Sequence, residues 1–262
     1  MKKTSFMVIA TLVLFACTEQ NAPSNSSAKN GALPGKFSVG PSTQVVFSQG
    51  NLQYQASSNT WRFAANQYEV IGADNKNISP SYDGWIDLFG WGTGNNPTLS
   101  STNDADYTTF IDWGTNAINN GGNKVGIWRT LSYEEWDYIL NKRINAARFQ
   151  GSVTVCGVYG YAILPDDWIM PSSISFVPDP QDWSTNVYSL DSWNIMESAG
   201  AIFLPAAGRR YGTQIEGIRY LGLYASSSDN GYFDYESAWG YMNDWDGQGA
   251  YGFSVRLVKD IK

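Results

Sequence analysis

Chemistry in this chain must come from carboxylates, hydroxyls, amides and aromatic rings, because the 262 residues include 24 Asp and Glu, two Cys and no histidine. The missing imidazole excludes Ser-His-Asp and Cys-His catalysis and His-ligated metal sites. It also removes the commonest general base near neutral pH. The densest chemical vocabulary lies between Gly222 and Val255, in GLYASSSDNGYFDYESAWGYMNDWDGQGAYGFSV, which has no Lys or Arg. Tyr, Trp, Asp, Asn, Ser and Gly are recognition residues, with rigid rings for contact area and short polar groups for adaptable hydrogen bonds. Tyr224, Asp229, Asn230, Tyr232, Phe233, Tyr235, Tyr241, Asn243, Trp245 and Asp246 are therefore the expected ligand contacts, displayed to a protein or a glycan. Trp239 and the strand through Phe253, Val255 and Leu257 read instead as core.

A competing chemistry needs two carboxyl groups facing across a cleft, as in glycoside hydrolysis. Asp166, Asp167, Asp244 and Asp246 are its candidates. Asp166 and Asp167 follow a strand, where turn-forming carboxylates are common, and no catalytic residue is expected. No cofactor or metal is expected either. A third reading makes the aromatic stretch the assembly interface of an adhesin or a fimbria-associated component. The net charge of −7 and the lack of a basic patch disfavour nucleic acid. An acidic surface also opposes electrostatic adhesion to anionic lipid.

The N-terminus reads as a leader. Lys2 and Lys3 precede an apolar run from Phe6 to Ala16, too short to span a bilayer. Leu14-Phe15-Ala16-Cys17 resembles a bacterial lipobox, with Phe15 a departure. That resemblance implies cleavage after residue 16, acylation of Cys17 and a membrane anchor, since several acyl chains on one residue hold where one is marginal. Residues 17–35 are polar and read as a tether, leaving 36–262 as one domain. Cys156, in Val153-Thr154-Val155-Cys156, reads as a buried inert thiol on a strand.

The elements that must position these groups are strands with two principal helices, an α+β pattern. Residues 36–65 alternate as an antiparallel meander. Gly90, Gly92 and Gly94 do not make a phosphate loop, since no Gly-Lys-Ser/Thr follows; Trp85, Phe89 and Trp91 among them read as packed irregular loop. Residues 95–122 read as a long surface loop with a short ordered piece at Phe110-Ile111-Asp112-Trp113. Trp128 to Arg143 is the clearest helix: Ser132 and Glu135 form a capping box, Leu131 can staple to Trp136, and Trp136, Ile139 and Leu140 share a face. Capping also explains Glu134-Glu135 better than catalysis. Residues 151–164 read as a strand pair, and 189–199 as a second helix with Ser189 as N-cap and Gly200 at C′. Arg209 and Arg210 read as a loop doublet, paired with the acidic terminal stretch or solvated.

Several motifs in this order resemble one family. VVFSQGNLQYQ (45–55), WRFA (61–64), GWIDLFGWG (84–92), WRTLSYEEWDYIL (128–140), LPDDW (164–168), FLPAAGRR (203–210), GLYASSS (222–228) and GFSVRLVKD (252–260) are similar to bacterial surface lipoproteins of the major-paralogous-domain (FISUMP) type. The resemblance implies a C-type-lectin-like fold, shared with formylglycine-generating enzymes and the variable proteins of diversity-generating retroelements. It also implies an outer-membrane, cell-surface location and a ligand-binding region at about 220–251, as in a diversified receptor or adhesin. The oxidase branch depends on active-site cysteines, which are missing around the terminal sheet. The calcium motifs of animal lectins are absent too: Asn243-Asp244-Trp245-Asp246 has similar residues in the wrong order.

Overall fold

The computed structural model describes residues 30–178, 182–228, 232–236, 239–243 and 249–261; the side chains of 236 and 239–243 are outside that description. Cys17 and the leader lie outside the described residues, as do Asp229, Asn230, Asp244, Trp245 and Asp246.

The chain is mixed α+β, with mostly antiparallel strands and few short helices. The strands are β1 (Phe37–Ser38), β2 (Gln44–Phe47), β3 (Leu52–Gln55), β4 (Thr60–Phe63), β5 (Trp85–Ile86), β6 (Gln150–Val155), β7 (Val158–Ile163), β8 (Val187–Tyr188), β9 (Ile202–Pro205), β10 (Arg209–Tyr211), β11 (Gln214–Glu216), β12 (Leu221–Ala225), β13 (Tyr232–Glu236), β14 (Trp239–Asn243), β15 (Tyr251–Gly252) and β16 (Val258–Asp260). They form five small sheets, ordered β1-β2-β16, β4-β3-β5, β8-β6-β7-β9, β11-β10-β15 and β12-β13-β14. In the first of these, Val258 pairs with Phe47, so the two ends of the domain close on each other.

Helix α1 (Tyr133–Asp137) starts where the sequence places a cap. Ser132 Oγ accepts the Glu135 N–H, and the Glu135 carboxylate accepts the Ser132 N–H at 2.9 Å. Leu131 and Trp136 are both fully buried in the same cluster, as a staple requires. The helix is shorter than the 128–143 expected. It widens into a π turn (Tyr138–Lys142) that ends on Arg143, whose buried guanidinium donates to the carbonyls of Ile139 and Leu164. Helix α2 (Leu190–Ser198) has Ser189 as its cap, buries Trp193 and Met196, and passes into Gly200 at φ 97°.

Several expectations are corrected. Residues 31–35 are part of the domain, not tether: Leu33 is buried, its N–H donates to Phe47 O, and Gln49 N–H donates to Gly31 O. Residues 95–122 carry the ordered piece expected around Trp113, but are anchored more widely than a surface loop: Trp113 and Ile118 are fully buried between short 3₁₀ turns. Arg209 and Arg210 lie on β10. Arg209 pairs with Glu216, and Arg210 is fully buried with its N–H groups donating to the carbonyls of Leu88, Leu99 and Gly212. Cys156 is half-buried at the hairpin tip between β6 and β7, not on a strand; φ of 50° there and 77° at Gly157 match a two-residue primed turn. The closing segment is enclosed on both sides: Ser254 and Arg256 are as buried as Phe253, Val255 and Leu257.

Candidate functional site

The hairpin of β12 and β13 is a partition between two cores. Side chains alternate across a strand, so Tyr224, Phe233 and Tyr235 enter one cluster, with Trp136, Tyr161 and Phe47. Leu223, Ala225 and Tyr232 enter the other, with Phe253, Trp61 and Phe89. The expectation that Tyr224, Tyr232, Phe233 and Tyr235 are displayed is therefore overturned. Tyr224, Phe233 and Tyr235 are 0% exposed and Tyr232 is 6% exposed. The physical reason is that both faces of the hairpin are covered, so no alternation leaves a ring outward. Phe233 lies 5.4 Å from Trp136 in a stacked pair, and Tyr232 packs 4.7 Å from Phe253. The phenols keep their polarity satisfied internally: Tyr224 Oη donates to Pro205 O at 2.9 Å and Tyr235 Oη donates to Leu204 O. Burial pushes both hydroxyls above the ordinary phenol range.

One end of this sheet differs. Ala225, Tyr232 and Asn243 lie side by side there in register. Residues 226–228, which follow Ala225, are fastened to the entry of α1. Ser227 N–H donates to Leu131 O, Tyr133 N–H donates to Ser228 Oγ, and Trp91 Nε1 donates to Ser226 O at 3.2 Å. Gly249 O accepts the Trp91 N–H, and Ala250 N–H donates to Asp104 Oδ1.

Beside this end is a cavity of about 310 Å³ lined by residues of 91–111, among them Trp91, Asn95, Asn96, Asp106, Thr108 and Thr109. Its back wall is Tyr107, wedged between two glycines: a Cβ at Gly90 would lie 2.3 Å from the ring, and one at Gly249 2.6 Å from Tyr107 Cβ. The irregular, glycine-rich composition of 84–122 is what lets backbone approach ring this closely. Sequence reading missed this cavity. The usable signal was Trp91 set among glycines next to an Asn/Thr/Asp-rich run.

Of the hydrolase candidates, Asp166 and Asp167 lie among the described residues. Asp166 Oδ2 accepts from Ser38 N–H, Ser38 Oγ and Gln44 Nε2 at 2.7, 2.7 and 3.0 Å, while Oδ1 accepts from Arg143 at 3.0 Å. This carboxylate fastens β1, β2 and the end of α1's π turn; Asp167 is exposed beside it. The strongly perturbed acid is Asp87, pushed up to about 6 by burial while the Ile71 N–H and the Asn75 amide pull it down. It is fully buried and joined to backbone, and it is not in the lining of the 91–111 cavity. No group of three or more metal-ligating side chains, and no helix long and apolar enough to cross a membrane, occurs among the described residues.

No protein-family model matches the chain, and no curated protein or solved structure matches it.

Proposed function

We propose that this chain is a lipid-anchored bacterial surface protein with a C-type-lectin-like fold that binds a protein or glycan ligand at the end of the β12-β13-β14 sheet. The observation that carries the reading is the register of Ala225, Tyr232 and Asn243, which sets residues flanking 226–231 and 244–248 side by side at one end of a buried, ring-filled scaffold. Binding sites are built well as variable loops on a rigid frame. Asp229, Asn230, Trp245 and Asp246 belong to those two segments, and Tyr241 and Asn243 to the strand that leads into the second. Tyr224, Tyr232, Phe233 and Tyr235 supply the frame, not the contacts. Cys17, after an apolar leader, supports the anchor in the outer membrane.

The test uses the full chain displayed on cells and a panel of purified surface proteins and polysaccharides. Replacing Asp229, Asn230, Trp245 and Asp246 together with Ala is expected to abolish capture with an unchanged melting temperature. Capture that survives this variant contradicts the reading. For the anchor, metabolic labelling with an alkynyl fatty acid is expected to mark the wild type and not Cys17→Ala; equal labelling of both contradicts it.

A further inference from the structure

We propose that the cavity lined by residues of 91–111 is a carbohydrate subsite that takes one neutral sugar ring. The inference rests on the reading that this end of the molecule binds a ligand, and it names the chemical class the cavity accepts.

Size sets the first limit. At about 310 Å³ the cavity lies at the low end of the roughly 300–1,000 Å³ typical of small-molecule sites, enough for a single ring but not a folded peptide. Chemistry sets the second. Asn95, Asn96, Asp106, Thr108 and Thr109 reach the lining, and among the described residues no hydrogen bond engages their side chains. Other amides are committed to the fold: Asn75, Asn116, Asn120 and Asn186 are each tied to backbone. The rim therefore keeps both donors and acceptors available on a surface that does not need them for folding. A sugar hydroxyl is also both donor and acceptor. An anion would meet Asp106 with no Lys or Arg in the lining, since Arg210 behind Leu99 donates to carbonyls. A hard cation would find one carboxylate where it needs several oxygens. An apolar ligand would desolvate five polar side chains without replacing their hydrogen bonds with water.

The aromatic component is Trp91. It is half-buried, packs 5.2 Å from Phe110, and has its Nε1 engaged by Ser226 O. What remains for a ligand is ring surface, which suits the apolar C–H face of a pyranose. The backbone behind these groups is fixed in advance. Thr93 and Ile111 bridge in parallel, Gly94 N–H donates to Ile111 O, Ile111 N–H donates to Gly92 O, and Tyr107 Oη donates to Ser101 O. Such preorganisation lowers the ordering cost of binding. Gly249 lies against Tyr107 at the back of the cavity.

The experiment is titration of the intact domain with neutral gluco-, xylo- and manno-oligosaccharides, followed by saturation-transfer NMR and calorimetry. Oligouronates and hexose phosphates serve as anionic probes. At least one neutral series is expected to bind in the millimolar range or tighter. Trp91→Ala should weaken it about tenfold or more, and Trp91→Phe should recover part of the loss. Asp106→Ala and Thr108→Val, both exposed and untied, should each weaken binding about threefold or more without moving the melting temperature. No neutral sugar binding at about 10 mM, a preference for the anionic probes, or sugar affinity unmoved by Asp106→Ala and Thr108→Val would overturn the subsite. If sugar binding fails while the quadruple loop variant still loses captured macromolecule, the subsite falls and the binding face stands. Loss of neither in its own variant removes both.

Discussion

The β12-β13 hairpin and the stretch 84–122 each depart from what their compositions suggest. The first lies in a run rich in Tyr, Trp, Asp and Asn, and its rings look made for contact. Yet Tyr224, Phe233 and Tyr235 are wholly enclosed, and Tyr232 nearly so, because β12 and β13 divide two cores. The second is irregular, and reads as packed loop giving way to a long surface loop. It buries Phe89, Trp113 and Ile118 as anchors and leaves Trp91 with a row of uncommitted polar groups around an open cavity. Ring content alone does not mark a binding surface; what matters is whether the neighbouring positions cover both faces of the strand.

The largest expected effect breaks the comparison on its buried side. Phe233→Ala removes a ring packed against Trp136 and Tyr161, and should cost about 3–5 kcal/mol in urea denaturation. A loss under about 1 kcal/mol would mean that the ring is exposed after all.

Asp87 sharpens the other side, because it ties residues 71–75 to the start of the irregular stretch. Its folded pKa of about 6 is above the ordinary 3.8, chiefly through burial. For a raised carboxyl pKa, the contribution to stability is full below the ordinary value and is lost as pH rises through about 6. Relative to Asp87→Asn, the wild type should therefore lose about 3 kcal/mol between pH 4 and 7, at roughly 1.4 kcal/mol per pKa unit. A pH-independent difference would contradict this account of the buried carboxyl.

Ser132→Ala should cost about 1 kcal/mol, because the capping box goes but the Leu131–Trp136 contact remains. The smallest effect belongs to the cavity rim. Asp106→Ala should change stability by no more than about 0.5 kcal/mol by thermal denaturation, since the side chain supports nothing in the fold.

Local signals were legible wherever a residue acts within its own element. The Ser132–Glu135 cap, the Ser189 cap, Gly200 after α2 and the β6-β7 pair follow from short-range rules. Helix α1 is shorter than its periodicity suggests because the chain widens into a π turn before the buried Arg143. Long-range pairings were hidden. Nothing near Asp166 in sequence announces Ser38, Gln44 and Arg143 as its partners. Arg210 reads as paired with the acidic terminal stretch or solvated until Leu88 and Leu99 are brought to it. The tether boundary failed for the same reason, since Leu33 is apolar in a polar run and its partner Phe47 lies across a strand. The cavity needed Gly90 and Gly249 on either side of Tyr107, residues far apart in the chain.

The most direct test is a substitution scan across 222–258 with two readouts on the same library, folded surface display and ligand capture. The account predicts that Tyr224, Tyr232, Phe233 and Tyr235 tolerate little change in display. Substitutions at Asp229, Asn230, Trp245 and Asp246 should leave display intact and remove capture. Free substitution at the four rings, with capture lost and display kept, would contradict it.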